Sequence, residues 1–509
     1  MSGRCSATLT VDELSSRVAR RRASYLAADT LNSTHDSRCR RRRAAPRPNL
    51  PHPPRCELCN LKVTSATHWA EHIAGRRHRA AAAATSQGGD WRATLMNLVW
   101  GAAASESAAA PPAELQRAVN AMVAAPPAEA AGGGSSREVL LYYKYVDVDA
   151  VDAARDWQES MCTALRLRGR IHIGREGING TVGGDSRATA LYVAAMNHHV
   201  RWSAVLGSIA YKRSPALAQQ RPFPNLFVRA CEEIIAIGIP PAELSWRSAS
   251  THLSPREFHD VLLAHRRVTQ VQPPSTATAH LGETIKETLG ETLGGSSSTT
   301  PSYDGLVLID VRNHFESEIG HFDGATRCST RRFDEFPAWA DALIAERGLV
   351  AGGVSGERSS SNGRNSEPSK PPPKVLMYCT GGIRCERASA YLRSKGVTEC
   401  FQLRGGIHTY CEAMAKESVE AASTSLFQGR NFVFDRRLAT APVGNGALPP
   451  IGRCQSCASP SECFDVRFVC QCCAALVLLC AACRASGGGG GGKALRCTLC
   501  SATTTIRNS

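Results

Sequence analysis

"KVLMYCTGGIRCERASAYLRSKG", residues 374–396, is the stretch that decides the fold. Lys374 to Cys379 is a short apolar run of strand length. A loop follows, Thr380 to Arg384, with glycines at 381 and 382. "ERASAYLRSKG" then reads as a helix closed by Gly396. Upstream, "GLVLIDVRNHFESEIGHFDGA" (305–325) opens on a second buried-strand run, ending at Asp310 and Arg312. Strands alternating with helices predict a parallel sheet, with ligands at the carboxyl ends of its strands. Cys379 stands at such an end.

The loop after Cys379 enters a helix N-terminus. Amides and the helix dipole there stabilise a thiolate or a bound anion. Gly381 and Gly382 allow the backbone to curl around the sulfur, and Arg384 adds a positive charge. The expected nucleophile is Cys379, with Arg384 as its anion-binding partner and Thr380, Gly381, Gly382 and Ile383 as an anion cradle. Cysteine phosphatases usually place five residues between Cys and Arg. Here there are four, a smaller cradle that suits sulfur better than phosphate. The Gly-Lys-Ser/Thr of a nucleotide P-loop is absent. Cys385 reads equally as a resolving thiol or as a residue packed at the helix start. Cys328 and Cys400 read as structural thiols. Asp310 and Arg312 read as supporting residues that hold the strand end through ion pairs and hydrogen bonds.

The 509 residues suggest several domains. A formal net charge of +15 fits an acidic or nucleic-acid partner, and equally an Arg-rich solvated surface. The N-terminal residues lack the apolar core of a secretory signal, and Asp12 and Glu13 argue against a mitochondrial presequence. The most apolar run, "CAALVLLCAAC" (473–483), is too short to span a bilayer. The 21 cysteines are therefore expected in a reducing, cytoplasmic or nuclear setting, where clusters mean zinc or catalysis before disulfides.

Composition divides the chain. Residues 1–51 form a basic tail expected to be disordered, 52–80 a zinc finger and 81–136 an Ala/Gly/Pro-rich linker with one helix near 91–100. A ferredoxin-like α+β domain is expected at 137–265, a linker at 266–303 and the parallel-sheet domain at 304–440, with a low-complexity insert at 352–373. A Cys-rich zinc module closes the chain at 450–503.

In the finger, Cys56 and Cys59 are followed by His72 and His78, donors suited to tetrahedral zinc, while His68 falls outside the spacing. The wide His–His gap resembles the fingers of RNA-binding proteins, which makes Arg76, Arg77 and Arg79 candidates for phosphate contacts. A protein-binding finger is the alternative. The tail holds four Cys-x-x-Cys pairs: Cys454/Cys457, Cys470/Cys473, Cys480/Cys483 and Cys497/Cys500. Eight thiolates match two four-Cys zinc sites, but spacing does not say which pairs share a metal. Cys463 and Cys472 are surplus, and Cys472 is able to replace Cys473. The cofactors expected are one zinc in the finger and two in the tail, with no nucleotide or flavin.

In 137–265, "EVLLYYKYVDV" (138–148) reads as a strand, and Ala154, Trp157, Met161 and Leu165 have helical spacing. The order β-α-β-β-α-β predicts a split βαβ sandwich. "GREGINGTVGG" (174–184) lacks a dinucleotide fingerprint. It reads first as a tight turn, and otherwise as a ligand loop using Glu176 and Asn179.

"GRIHIGREGINGTVGG", "HLSPREFHDVL" (252–262), "CTGGIRCE" and "FQLRGGIHTY" stand in order and resemble one branch of the rhodanese superfamily. Its bacterial members are tRNA uridine hydroxylases, and its animal members are called thiosulfate sulfurtransferase-like domain-containing proteins. The resemblance spans roughly 137–503, apart from the linkers, and the branch carries a similar Cys tail after a "FVFDRR"-like segment (432–437 here). It implies an α/β multidomain protein: a rhodanese-like parallel-sheet domain preceded by a ferredoxin-like domain. It also implies that Cys379 takes up sulfane sulfur as a persulfide, or is required for tRNA hydroxylation, and that Arg384 binds an anion.

Three functions follow as expectations. The first is an RNA-modifying enzyme resembling the tRNA uridine hydroxylases. The second is a sulfurtransferase not acting on RNA. The third is a non-catalytic nucleic-acid or protein adaptor, against which the intact Cys-to-Arg loop argues. Expected partners are RNA, in the first case tRNA, and a sulfane-sulfur donor or small co-substrate, with no membrane.

Overall fold

The computed structural model describes residues 91–101, 110–124, 136–217, 221–270, 305–350, 373–417, 425–441, 449–488 and 494–501. The basic tail, the finger and most of the two other linkers and the insert lie outside them.

The first domain is a five-stranded sheet in the order β4-β1-β3-β2-β5. Its strands are β1 (Arg137–Tyr145), β2 (Arg168–Gly174), β3 (Gly177–Asp185), β4 (Lys212–Pro215) and β5 (Leu226–Ala230). The first four have the expected split βαβ topology, with β1–β3, β2–β3 and β1–β4 antiparallel, and β5 adds to β2 in parallel. Alternation decides the two faces. Leu140 and Tyr142 of β1 point into a core with Ile171, Ile173 and Val182. Leu141 and Tyr143 point to the opposite face, which among the described residues is free of this domain's own helices. The helix Val151–Ala164 packs on the core through Ala154, Trp157 and Met161.

The expected linker at 81–136 needs correcting. The helix near 91–100 is present (Trp91–Trp100), but a second runs from Ala113 to Ala124, and both pack on this core. Leu95, Val99, Leu115, Val119 and Met122 are fully buried there. Alanine-rich composition resembles low complexity, yet Ala is the best helix former. Leu115, Val119 and Met122 supply an apolar stripe at helical spacing.

The second sheet has the order β6-β11-β10-β7-β9, and every pairing in it is parallel. Its strands are β6 (Thr251–Leu253), β7 (Leu306–Asp310), β9 (Thr326–Arg327), β10 (Lys374–Tyr378) and β11 (Cys400–Leu403); β8 (Gly320–Phe322) pairs elsewhere. Helices cover both faces, so β10 is apolar throughout its centre. Val375 and Met377 face one apolar cluster, Leu376 and Tyr378 the other.

The domain border at 265 also moves. Strand β6 pairs with β11, and the following helix, Pro255–Gln270, supplies Phe258, Val261 and Leu262 to the core of the second sheet. Residues 251–270 thus belong with the parallel sheet. A three-residue strand has no periodicity of its own, and its membership is decided by a partner about 150 residues away in sequence. Among the described residues, no helix is long and apolar enough to cross a membrane.

Candidate functional site

Cys379 follows β10 and is fully buried. The backbone then turns through Gly382, whose φ of 101° favours glycine, into the helix Ile383–Ser394. The Gly382 amide donates to Cys379 Sγ at 3.1 Å. Burial alone would push this thiol up. A hydrogen bond from Cys385, the charge of Arg384 and the amides of Arg384 and Gly382 outweigh burial and hold Cys379 down at about 5. Cys385 moves the opposite way, well above the usual thiol range, through burial and the adjacent Cys379. The pair is one thiolate and one thiol donor. Burial also raises Cys328, and raises Cys400 to about 12, in line with inert structural thiols.

Arg384 differs from expectation. Its guanidinium grips the fully buried Glu316 in a fork, at 2.5 and 2.8 Å, and donates to Thr380 Oγ1 at 3.3 Å. Much of its charge is therefore answered by a carboxylate, and its main geometric effect is to brace the loop. Asp310 and Arg312 form a second buried fork, at 2.6 and 2.8 Å. Arg312 also donates to Gly320 O, and Tyr378 Oη donates to Asp310, so both groups are occupied in holding the strand end.

The loop is enclosed from two directions. Gly406 packs so closely that a Cβ there would lie 2.8 Å from the Gly381 and Gly382 amides. Ile407 and His408 amides donate to the carbonyls of Cys379 and Thr380. The helix-free face of the first domain covers the other side. A Cβ on Gly381 would lie 3.1 Å from Leu141, and one on Gly382 would lie 2.8 Å from Tyr143 Oη. Tyr143 Oη, His252 and Gln402 all bond to Glu386. Arg387, fully buried, pairs with Glu176 at 2.7 Å and with Glu233 at 3.4 Å. Glu176 thus joins the two domains through an ion pair. Asn179 donates to Ile234 O, and Gly177 has the positive φ of a tight turn.

The tail cysteines form two clusters: Cys454, Cys457, Cys480 and Cys483, and Cys470, Cys473, Cys497 and Cys500. The first and third pairs share one site, the second and fourth the other. Within each cluster the sulfurs lie within 4.8 Å of one another, with Cys457–Cys480 and Cys473–Cys497 at 3.6 Å. Tetrahedral Zn–S bonds of about 2.3 Å imply sulfurs about 3.8 Å apart, so these donor sets fit zinc. Cys472 and Cys463 are exposed and outside both clusters. The finger ligands Cys56, Cys59, His72 and His78, and Arg76, Arg77 and Arg79, lie outside the described residues.

Comparison with known proteins agrees with this layout. Residues 299–413 match the rhodanese-like domain, 428–503 the rhodanase C-terminal domain, 137–234 the UPF0176 acylphosphatase like domain and 54–78 a zinc-finger of C2H2 type. A tRNA uridine(34) hydroxylase of Synechococcus elongatus is 30% identical over 58% of this chain and 83% of its own length. The protein of that name from Jannaschia is 31% identical, over 64% and 82%. The chain belongs to the tRNA uridine(34) hydroxylase family of rhodanese proteins. It is an enzyme of the rhodanese type. The Rhodanese-like domain-containing protein 6 of Arabidopsis thaliana is 32% identical, over 66% of this chain and 48% of its own length. The chain thus spans about half of that plant relative.

The contacts around the loop make plain what sequence reading missed. Glu316, Glu386, Arg387 and Tyr143 surround the Cys379 loop, and none was singled out. Glu316 carried a local signal: its carboxylate accepts from the Asn313 amide at 3.2 Å, the reach of a helix-capping Glu. Its second task, holding Arg384, lies 68 residues away and left no local trace.

Proposed function

We propose that this chain modifies RNA, acting on a uridine of tRNA, with Cys379 as its nucleophile. The observation that carries the reading is the thiolate: among the rhodanese-domain cysteines described, Cys379 is the one its surroundings hold ionised. A thiolate at that loop attacks sulfane sulfur. With thiosulfate as donor, a new S–S bond forms to Cys379, the donor S–S bond breaks and sulfite leaves with the electron pair. The loop amides then face the persulfide. Bonding to an RNA substrate is supported by the relatives' name, the finger match and the net charge of +15. The helix-free sheet face adds support. Arg170 and Arg229 are exposed there beside Phe227, which is 42% exposed, an arrangement suited to phosphates and a stacked base. The same thiolate chemistry serves a sulfurtransferase that needs no RNA.

Nucleoside mass spectrometry of tRNA separates the two. Deletion is expected to remove a uridine derivative, wild-type protein to restore it, and Cys379→Ser to leave it missing. Restoration by Cys379→Ser overturns the nucleophile assignment. An unchanged nucleoside profile on deletion favours the sulfurtransferase.

A further inference from the structure

Arg384 is held by Glu316, so a second cation near the sulfur gains importance. Strand β4 supplies one. Lys212 pairs in register with Leu141, and paired residues share a sheet face. It therefore lies on the face that covers the Cys379 loop. The residue is only 7% exposed, and its ammonium sits 5.2 Å from the Tyr143 ring centroid. Among the described residues no carboxylate pairs with it. Its electrostatic neighbours are Cys379 and, more weakly, Glu412, which lies 3.6 Å from His408 Nδ1. A buried ammonium without a carboxylate is costly, and such groups are normally paired or used.

A second buried polar atom lies nearby, with Glu412 at 3.6 Å and no hydrogen bond among the described residues. His408 bonds the loop through its backbone, yet its buried Nδ1 makes no hydrogen bond among the described residues. Burial, and then Lys212 and Arg437, hold this imidazole down at about 4, so it is neutral at pH 7. Burial lowers Lys212 to about 8, against the pull of Cys379, so it is charged at that pH.

We infer that Lys212, with His408 beside it, forms an anion subsite that places the negatively charged group of the substrate against Cys379. Two substrate groups have this chemistry: a phosphate of RNA, or the oxygens of a thiosulfate-type donor. The inference rests on Cys379 being the reactive thiol. It assigns to the first domain a residue of the site that the rhodanese domain alone lacks.

Paired alkylating probes test it. Iodoacetate is anionic and iodoacetamide neutral, and the product at Cys379 is read by peptide mass spectrometry at pH 7. Relative to glutathione, wild-type protein is expected to favour iodoacetate by roughly tenfold, the effect of one nearby charge partly screened. Lys212→Met is expected to erase that preference while iodoacetamide labelling continues, and Lys212→Arg to keep it. Lys212→Gln serves if the methionine variant does not fold. Sulfate and uridine 5′-monophosphate then compete for the site, and the one that protects wild type but not the variant at lower concentration identifies the source. An equal preference in wild type and Lys212→Met, or protection by neither anion, overturns the subsite. Absence of labelling by either reagent removes the nucleophile as well.

Discussion

The Cys379 loop and the Cys470 knuckle solve one local problem in two ways. Both put a sulfur at a tight turn closed by backbone amides. In the knuckle, Cys470 N bonds Ala475 O, Ala474 N bonds Cys470 O, and Ala474 takes a φ of 61°. The 454 knuckle repeats this geometry, with Ala458 at 60°. What differs is what the sulfur meets next. Each knuckle sulfur faces three other cysteine sulfurs, a donor set for a metal. Cys379 faces one thiol, two amides and a guanidinium braced by Glu316. In the first setting the sulfurs converge as a metal donor set, while in the second one sulfur is held against a thiol, amides and a charge. A cysteine's task is therefore set by its neighbours more than by its turn.

The largest break in that contrast comes from the metal side. Cys473→Ser removes a ligand from a site whose binding is worth about 10–16 kcal/mol in comparable zinc modules. It is expected to lower the zinc content by one per chain and unfold the module, leaving the pH profile of Cys379 alkylation unchanged. Metal analysis beside alkylation reads both. Unchanged zinc would mean that the exposed Cys472 takes over.

Next in size is the brace. Glu316→Gln leaves Arg384 buried without its carboxylate and is expected to cost about 3–5 kcal/mol in chemical unfolding. A loss below about 1 kcal/mol, the range of an exposed pair, would show the fork to be dispensable.

The smallest effect sharpens the role of Cys385. Wild-type alkylation at Cys379 should fall as pH drops through about 5, because the thiolate protonates there. Cys385→Ala removes a donor to the charged sulfur, so the midpoint should rise, by about 1–2 pH units if the bond is worth 1.5–3 kcal/mol. An unmoved midpoint would reduce Cys385 to packing.

Much of this was legible before any coordinates. The apolar run 374–379 announced a buried parallel strand, and the glycine loop after it announced a tight turn into a helix. Ala154, Trp157, Met161 and Leu165 announced a helix face, and all four are buried. Two readings failed for local reasons. The helix Ala113–Ala124 hid in alanine-rich composition, and Thr251–Leu253 is too short to show a period.

The sequence by itself determined the parts: a Cys379 loop with four residues before its arginine, four Cys-x-x-Cys pairs, two sets of strands and their faces. These are properties of contiguous residues, where spacing dictates geometry. The tertiary structure alone decided the partnerships: Glu316 to Arg384, Glu176 to Arg387, Lys212 on the sheet face that covers the Cys379 loop, and the interleaving of cysteine pairs into two clusters. Each joins segments far apart in sequence, and only strand order and domain packing bring such segments within reach of a charge or a hydrogen bond.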